Sequence, residues 1–139
     1  MTNPYSHLKL KVIPREFKYV SFKNGEALAA AMTQMKNLGK NDPVCLFFTP
    51  DDFSLIGPSD LKIQEFEKEE PDWRAIRIIG EMPFGTVQGL IATLTGQLKE
   101  CSLGACVVST YKTDYFFVKT KNLTTAIEHF RTKGWEVLT

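Results

Sequence analysis

The segment Leu103–Lys119 constrains the fold most strongly, because two short strand-like runs in it flank a tight polar connection. The runs are Ala105–Val108 and Tyr115–Val118, and both are rich in the β-branched and aromatic residues that strands favour. This pattern is typical of a β-hairpin. Asp114, at the tip of the hairpin, does not fit this pattern. Asp is depleted in strands, and burying an unpaired carboxylate costs free energy. We therefore expect water, backbone or a ligand cation to pair with the Asp114 carboxylate.

The residues on both sides of this hairpin predict further strands and helices. A strand is predicted over Arg74–Ile79, and an apolar stripe at helical spacing predicts a helix that opens near Thr86. After the hairpin, a second helix over Leu123–Lys133 and a strand over Trp135–Leu138 are predicted. The order β-α-β-β-α-β is that of the split βαβ, or ferredoxin-like, fold.

The first half of the chain repeats part of this order. Two short strands are predicted over Leu8–Ile13 and Phe17–Phe22, on either side of a Pro-containing break. A helix over Glu26–Leu38 follows, and then a second hairpin with strands Val44–Phe48 and Phe53–Ile56. No second long helix is predicted, so this half is an abbreviated copy of the later one.

The connection between the halves, residues 57–72, begins with turn-forming residues and continues as an acidic, Pro-containing stretch. Its carboxylates lack the spacing of a calcium loop, which favours a solvated linker. The sequence therefore predicts an α+β fold of two ferredoxin-like βαββαβ units with antiparallel sheets and helices on one face. The expected domains are residues 1–68, the abbreviated unit, and residues 69–139.

Composition narrows the possible partners. The chain has 139 residues and a net charge of +1, so it offers no field that would attract nucleic acid or an anionic membrane. It begins without the apolar segment of a secretory signal, and no apolar run approaches the roughly 20 residues that span a bilayer. We expect a cytoplasmic protein with no nucleic-acid or membrane partner.

Catalytic and metal-binding patterns are absent from the sequence. Cys45, Cys101 and Cys106 fall at strand or helix positions typical of small buried hydrophobic residues, and neither they nor His7 and His129 have zinc-site spacing. There is no nucleophile elbow, phosphate-binding loop or dinucleotide fingerprint. We expect neither an enzyme nor a bound metal or cofactor.

A binding site for a small molecule is better supported. The connection from Gly80 to Thr86 leads a strand into a helix, and Gly85 and Gly89 leave the first helical turn uncrowded. The unpaired N–H groups of a helix start suit a carboxylate, although Thr86 could simply cap the helix and the glycines allow close packing. In a βαββαβ unit, the hairpin tip with Asp114 can approach this connection. An anion acceptor beside a carboxylate is the minimum needed to hold a zwitterion.

The run Ser109–Tyr115, which reads Ser-Thr-Tyr-Lys-Thr-Asp-Tyr, resembles ACT-domain proteins when it is taken with Phe84 and Gly89 upstream. The resemblance is to the tandem-ACT subfamily that includes the CASTOR arginine sensors and many small bacterial ACT proteins. The earlier run Thr49–Leu55 is similar to the corresponding run of the preceding ACT unit. The chain looks like one half of such a sensor. This resemblance implies a regulatory protein that binds an amino acid between ACT units of a homodimer and acts on a protein partner.

The resemblance also implies which residues contact the ligand. Gly104 and Ala105 match positions that offer backbone groups from one side. Thr110, Tyr111 and Asp114 match positions on the other side, where Asp114 receives the ligand ammonium.

The helix-entry segment matches the remaining wall, with Phe84, Val87 and Gly89 as its ligand-facing positions. Val87 departs from the arginine sensors, which have a glutamate there for the guanidinium. An apolar side chain cannot pair with a buried guanidinium. We therefore expect a small or apolar amino acid rather than arginine.

Two other interpretations stay open. The ACT units could serve only for dimerisation or for docking a protein, with Asp114 accepting backbone hydrogen bonds in its own hairpin. An RNA-binding RRM has the same element order, and Tyr115 and Phe117 have the spacing of stacking aromatics. The near-zero net charge, the missing glycine-rich RNP pattern and the acidic Asp114 oppose RNA binding.

Overall fold

The computed structural model describes residues 3–82 and 89–139. It is a mixed α/β structure with antiparallel strand pairs and helices. Its elements are β1 (Lys9–Phe22), α1 (Gly25–Gln34), β2 (Cys45–Phe48), β3 (Phe53–Pro58), β4 (Lys68–Ile79), α2 (Leu90–Glu100), β5 (Cys106–Ser109), β6 (Asp114–Lys119), a 3-10 turn (Thr120–Asn122), α3 (Leu123–Thr132) and β7 (Val137–Leu138). Within these residues, no helix combines the length and the apolar character needed to cross a membrane.

The chain forms two compact units. One, the inserted unit, is Arg15–Trp73; the other, the split unit, combines the segment that ends at Pro14 with Arg74–Thr139. We expected the N-terminal segment to belong with the first half, in a domain of residues 1–68. It clusters with the second half instead, because Leu8, just before β1, and the β1 residues Leu10 and Val12 are buried in the core of the split unit.

The inserted unit contains β2, β3 and the later residues of β1, in that spatial order and with antiparallel pairing. Helix α1 buries Leu28 in the core of this unit, and the Asn24 Oδ1 atom accepts a hydrogen bond from the Ala27 N–H at 2.9 Å. The helix ends at Gln34, four residues before the predicted end. The reason is that Met35 has an extended backbone and its N–H bonds to the Met32 carbonyl at 3.2 Å.

The split unit has the strand order β7-β1-β4-β6-β5. Its helices pack apolar stripes against the strands, and the buried side chains include Leu94 of α2 and Phe130 of α3. The element order from β4 to β7 follows the prediction. However, β7 pairs in parallel with β1, at Leu10 and Val137, so a strand from the start of the chain lies between β7 and β4.

Two strands are longer than predicted. Strand β1 runs through Pro14 without a break, and Pro14, which has no N–H to donate, lies between Lys11, where the pairing with β7 ends, and Phe17, where the pairing with β3 begins. Strand β4 begins at Lys68, inside the predicted linker, since exposed acidic side chains do not prevent backbone pairing. Helix α2 begins at Leu90 in the described residues, and Thr86, near which its start was predicted, lies outside them.

Candidate functional site

Thr110 and Thr113 organise the tip of the second hairpin, between β5 and β6. The Thr110 N–H donates to the Thr113 carbonyl at 2.8 Å, and the Thr110 Oγ1 atom accepts from the Thr113 N–H at 3.1 Å. Thr113 is buried, and its hydroxyl donates to the Ile78 carbonyl of β4 at 2.6 Å. These bonds fix the hairpin tip beside the end of β4, as the sequence indicated.

Asp114 is the first residue of β6 and stands opposite Ser109. Its side chain is half-buried and has no hydrogen bond or ion pair to any residue that the structure describes. Because strand side chains alternate between faces, Asp114 shares a face with Phe116 and Val118, which belong to the core beneath the helices. Thr110 rather than Asp114 therefore supplies the side-chain bonds within this hairpin.

The first hairpin repeats this construction. The Thr49 N–H donates to the Asp52 carbonyl at 3.0 Å, and the Thr49 Oγ1 atom accepts from the Asp52 N–H at 2.9 Å. In register, Phe53 stands where Asp114 stands in the second hairpin. A Cβ placed on Gly25, the first residue of α1, would lie 3.1 Å from the Phe53 ring. The Phe53 side chain is thus directed towards the start of α1, the first helix of its unit.

The corresponding helix of the split unit, α2, starts differently from α1. Its N-cap is Gly89, which has the left-handed φ of 72° and offers no side chain to the first N–H groups. Asn24 provides such a cap in α1. Phe84 and Val87, two of the predicted ligand-facing residues, lie outside the described residues.

An open cavity of about 700 Å³ lies where the hairpin tip meets the end of β4. Its lining consists of residues 77–82 and 111–113, so Tyr111 is the only predicted site residue among the described residues that line it. Sequence patterns did not single out the charged residues Arg77, Glu81 and Lys112. The sequence did contain an indication for Arg77, because it lies between two buried isoleucines. Side chains alternate along a strand, so the Arg77 side chain lies on the face of β4 opposite the isoleucines.

Gly104 and Ala105 lie at the opposite end of the second hairpin. Gly104 is exposed, and Ala105 packs against the core. Ala105 lies four positions before Ser109 along an extended chain, a length of about 13 Å. The structure therefore does not bring these two residues together with Asp114 within one chain.

Perturbed ionisable groups lie away from this hairpin. Hydrogen bonds from His129 of α3 and from Lys133, the residue that caps its C-terminus, lower the pKa of the Glu100 carboxyl, and burial raises the pKa of the Cys45 thiol. In residues 3–82 and 89–139, no group of three or more His, Cys, Asp and Glu side chains is arranged to hold a metal ion.

Comparison with known proteins agrees with the predicted resemblance for the second half of the chain. Residues 68–132 match the family model of the ACT domain. No curated protein sequence matches the chain.

Solved structures extend the likeness in fold to nearly the whole chain. Protein Atu0741 from Agobacterium tumefaciens has a TM-score of 0.78 at 22% identity, over 95% of this chain and 92% of that one. Protein VC0802 from Vibrio cholerae, described as a possible transport protein, has a TM-score of 0.65 at 17% identity, over 91% and 89%. The ligand-free regulatory subunit of aspartate kinase from Thermus thermophilus has a TM-score of 0.61 at 7% identity, over 88% and 95%. At these identities the likeness establishes the fold.

Proposed function

We propose that this chain is a regulatory protein of the tandem-ACT type, with two ferredoxin-like units, that binds an amino acid. The observation that carries the proposal is the half-buried Asp114 carboxylate, which lacks a partner among the described residues. A ligand ammonium would supply the missing charge, and each charge-assisted hydrogen bond contributes about 1.5–3 kcal/mol. The match to the ACT family model and the fold of aspartate kinase regulatory subunits support this proposal.

The two hairpins support one such site per chain. Phe53 fills the position in the inserted unit that Asp114 occupies in the split unit, and its ring covers the start of α1. An aromatic ring at this position leaves no carboxylate for an ammonium. By analogy with Phe53, the proposal has Asp114 directed towards the start of α2, where Gly89 provides no side-chain cap.

The site requires a second copy of the chain. Gly104 and Ala105 belong to the ligand contacts that the family resemblance implies, yet they lie at the far end of the hairpin from Asp114. In a twofold homodimer, Gly104 and Ala105 of one copy can face Asp114, Thr110 and Tyr111 of the other, and the dimer then has two equivalent sites.

The ligand that we propose is a small or apolar amino acid. Val87 stands where the arginine sensors have a glutamate, so the site lacks a partner for a guanidinium. The protein would act in the cytoplasm, as a regulator of a protein partner and without catalysis.

The other interpretations have less support. If the chain only dimerised, Asp114 would be expected to brace its own hairpin, but Thr110 makes those bonds. For RNA binding, Tyr115 and Phe117 would need exposed rings. Instead their rings stack on each other with centroids 6.3 Å apart, and Phe117 is fully buried.

A thermal-shift screen of the twenty amino acids tests the proposal. A ligand that binds only the folded protein stabilises it by about 2.7 kcal/mol at a concentration of 100 times its Kd. We expect at least one amino acid to raise the Tm of the wild-type chain, and Asp114→Asn to abolish this increase. Asp51→Asn is the matched control, since Asp51 is an exposed acid at the tip of the first hairpin.

Light scattering on the same samples separates a ligand role from a role in assembly. We expect the Asp114→Asn variant to stay dimeric. The proposal fails if no amino acid raises the Tm at millimolar concentration. It also fails if the variant keeps the increase, or if it loses the dimer.

A further inference from the structure

The cavity between the end of β4 and the hairpin tip carries three charged side chains, those of Arg77, Glu81 and Lys112. All three residues are exposed. Although opposite charges line the same cavity, none of the three side chains forms an ion pair or a hydrogen bond with a described residue. Two cations and one carboxylate thus line one concave surface, and none of the three is engaged in an ion pair within the described part of the chain.

This cavity shares Tyr111 with the proposed amino-acid site, but Asp114 is not part of its lining. Ile76 and Ile78 point into the core beneath the helices, so Arg77, between them, points to the other face of β4. Asp114 is on the core-facing side of β6, with Phe116, and does not line the cavity.

We propose that this cavity is a second ligand site and that it binds a small molecule through an oxyanion, a carboxylate or a phosphate group. The Arg77 guanidinium offers a planar pair of donors that matches two oxygens of such a group, and the Lys112 ammonium adds a second positive charge. Glu81 can accept a hydrogen bond from a hydroxyl or an ammonium elsewhere on the same molecule.

Amide NMR titration of the full chain with succinate and with inorganic phosphate tests this site. We expect saturable shifts in residues 77–82 and 111–113, and sodium chloride at the same ionic strength should not reproduce them. Arg77→Gln and Lys112→Gln should each raise the Kd for the oxyanion probe by about 5- to 10-fold. A loss of this size is larger than that of an exposed charge pair and smaller than that of a well-ordered one. Lys40→Gln is the matched control, because it removes an exposed cation outside the cavity.

The two probes identify the oxyanion. Tighter binding of succinate assigns a carboxylate, and tighter binding of phosphate assigns a phosphate group. The proposal is overturned if sodium chloride gives the same shifts, or if both glutamine variants bind like the wild type. Asp114→Asn should leave the titration unchanged, and loss of oxyanion binding in that variant would refute a separate site. Because succinate and phosphate have no ammonium, failure here leaves the amino-acid proposal untouched.

Discussion

The Thr113 hydroxyl is the side-chain contact that holds the hairpin tip against β4, so its removal should have a measurable cost. Thr113 is 7% exposed, and its Oγ1 atom lies 2.6 Å from the Ile78 carbonyl oxygen. Thr113→Val keeps the shape of the side chain but removes the donor. A buried acceptor that loses its partner costs about 1–3 kcal/mol. At the usual entropy of unfolding for a chain of this length, a loss of about 2 kcal/mol lowers the Tm by about 7 °C.

Urea unfolding followed by circular dichroism would measure this loss directly. Thr33→Val is the matched control, because the Thr33 hydroxyl also donates to a carbonyl at 2.7 Å, that of Ala30, but on the exposed surface of α1. We expect that control to stay within about 0.5 kcal/mol of the wild type. A Thr113→Val variant as stable as the control would show that the hydrogen bond to Ile78 does not hold the tip.

Three further predictions concern the split unit. Gly80→Ala should destabilise the protein by about 1–3 kcal/mol, because Gly80 has a φ of 131° and a Cβ there would lie 3.0 Å from the His7 carbonyl oxygen. Gly96→Ala, in α2 with open space around it, should instead stabilise by about 0.5–1 kcal/mol, and urea midpoints of the two variants should move in opposite directions. The pKa of Glu100 is lowered from 4.5 by His129 and Lys133. The contribution of the Glu100 carboxylate to stability is therefore present above pH 4.5 and is lost as the pH falls through the lowered pKa. Glu100→Gln should reduce the fall of the urea midpoint at acid pH, and an unchanged fall would contradict the pairing. Without ligand, Asp114→Asn should unfold within about 0.5 kcal/mol of the wild type, since its carboxylate has no described partner, and a larger loss would reveal a structural role.

Both hairpins could be predicted from the sequence because their information is local. Strands of alternating or β-branched residues flank four-residue connections. In each connection, a threonine Oγ1 atom accepts a hydrogen bond from the backbone N–H of the residue three positions later. Asp114 stood out for the same reason, as an acid among strand-forming neighbours. The comparison of Phe53 with Asp114 needed only the register that these hairpins impose.

The features that were not predicted depend on contacts between distant parts of the chain. The start of β4 has exposed acidic side chains, so apolar periodicity carries no signal for it, and backbone pairing alone makes it a strand. The place of β1 between β7 and β4 depends on pairing across more than half of the chain. The cavity at Arg77 and Lys112 exists because the Thr113–Ile78 bond joins two segments that are far apart in sequence.

We propose above that Asp114 receives the ammonium of an amino acid between two copies of this chain. A crystal structure of the full chain with the amino acid that gives the largest thermal shift would test this proposal. We expect a ligand nitrogen within about 3 Å of the Asp114 carboxylate. We also expect the backbone at Gly104 and Ala105 of the partner copy to contact the same ligand. An amino acid bound elsewhere, or an Asp114 carboxylate that accepts only N–H groups of its own hairpin, would refute the proposed site.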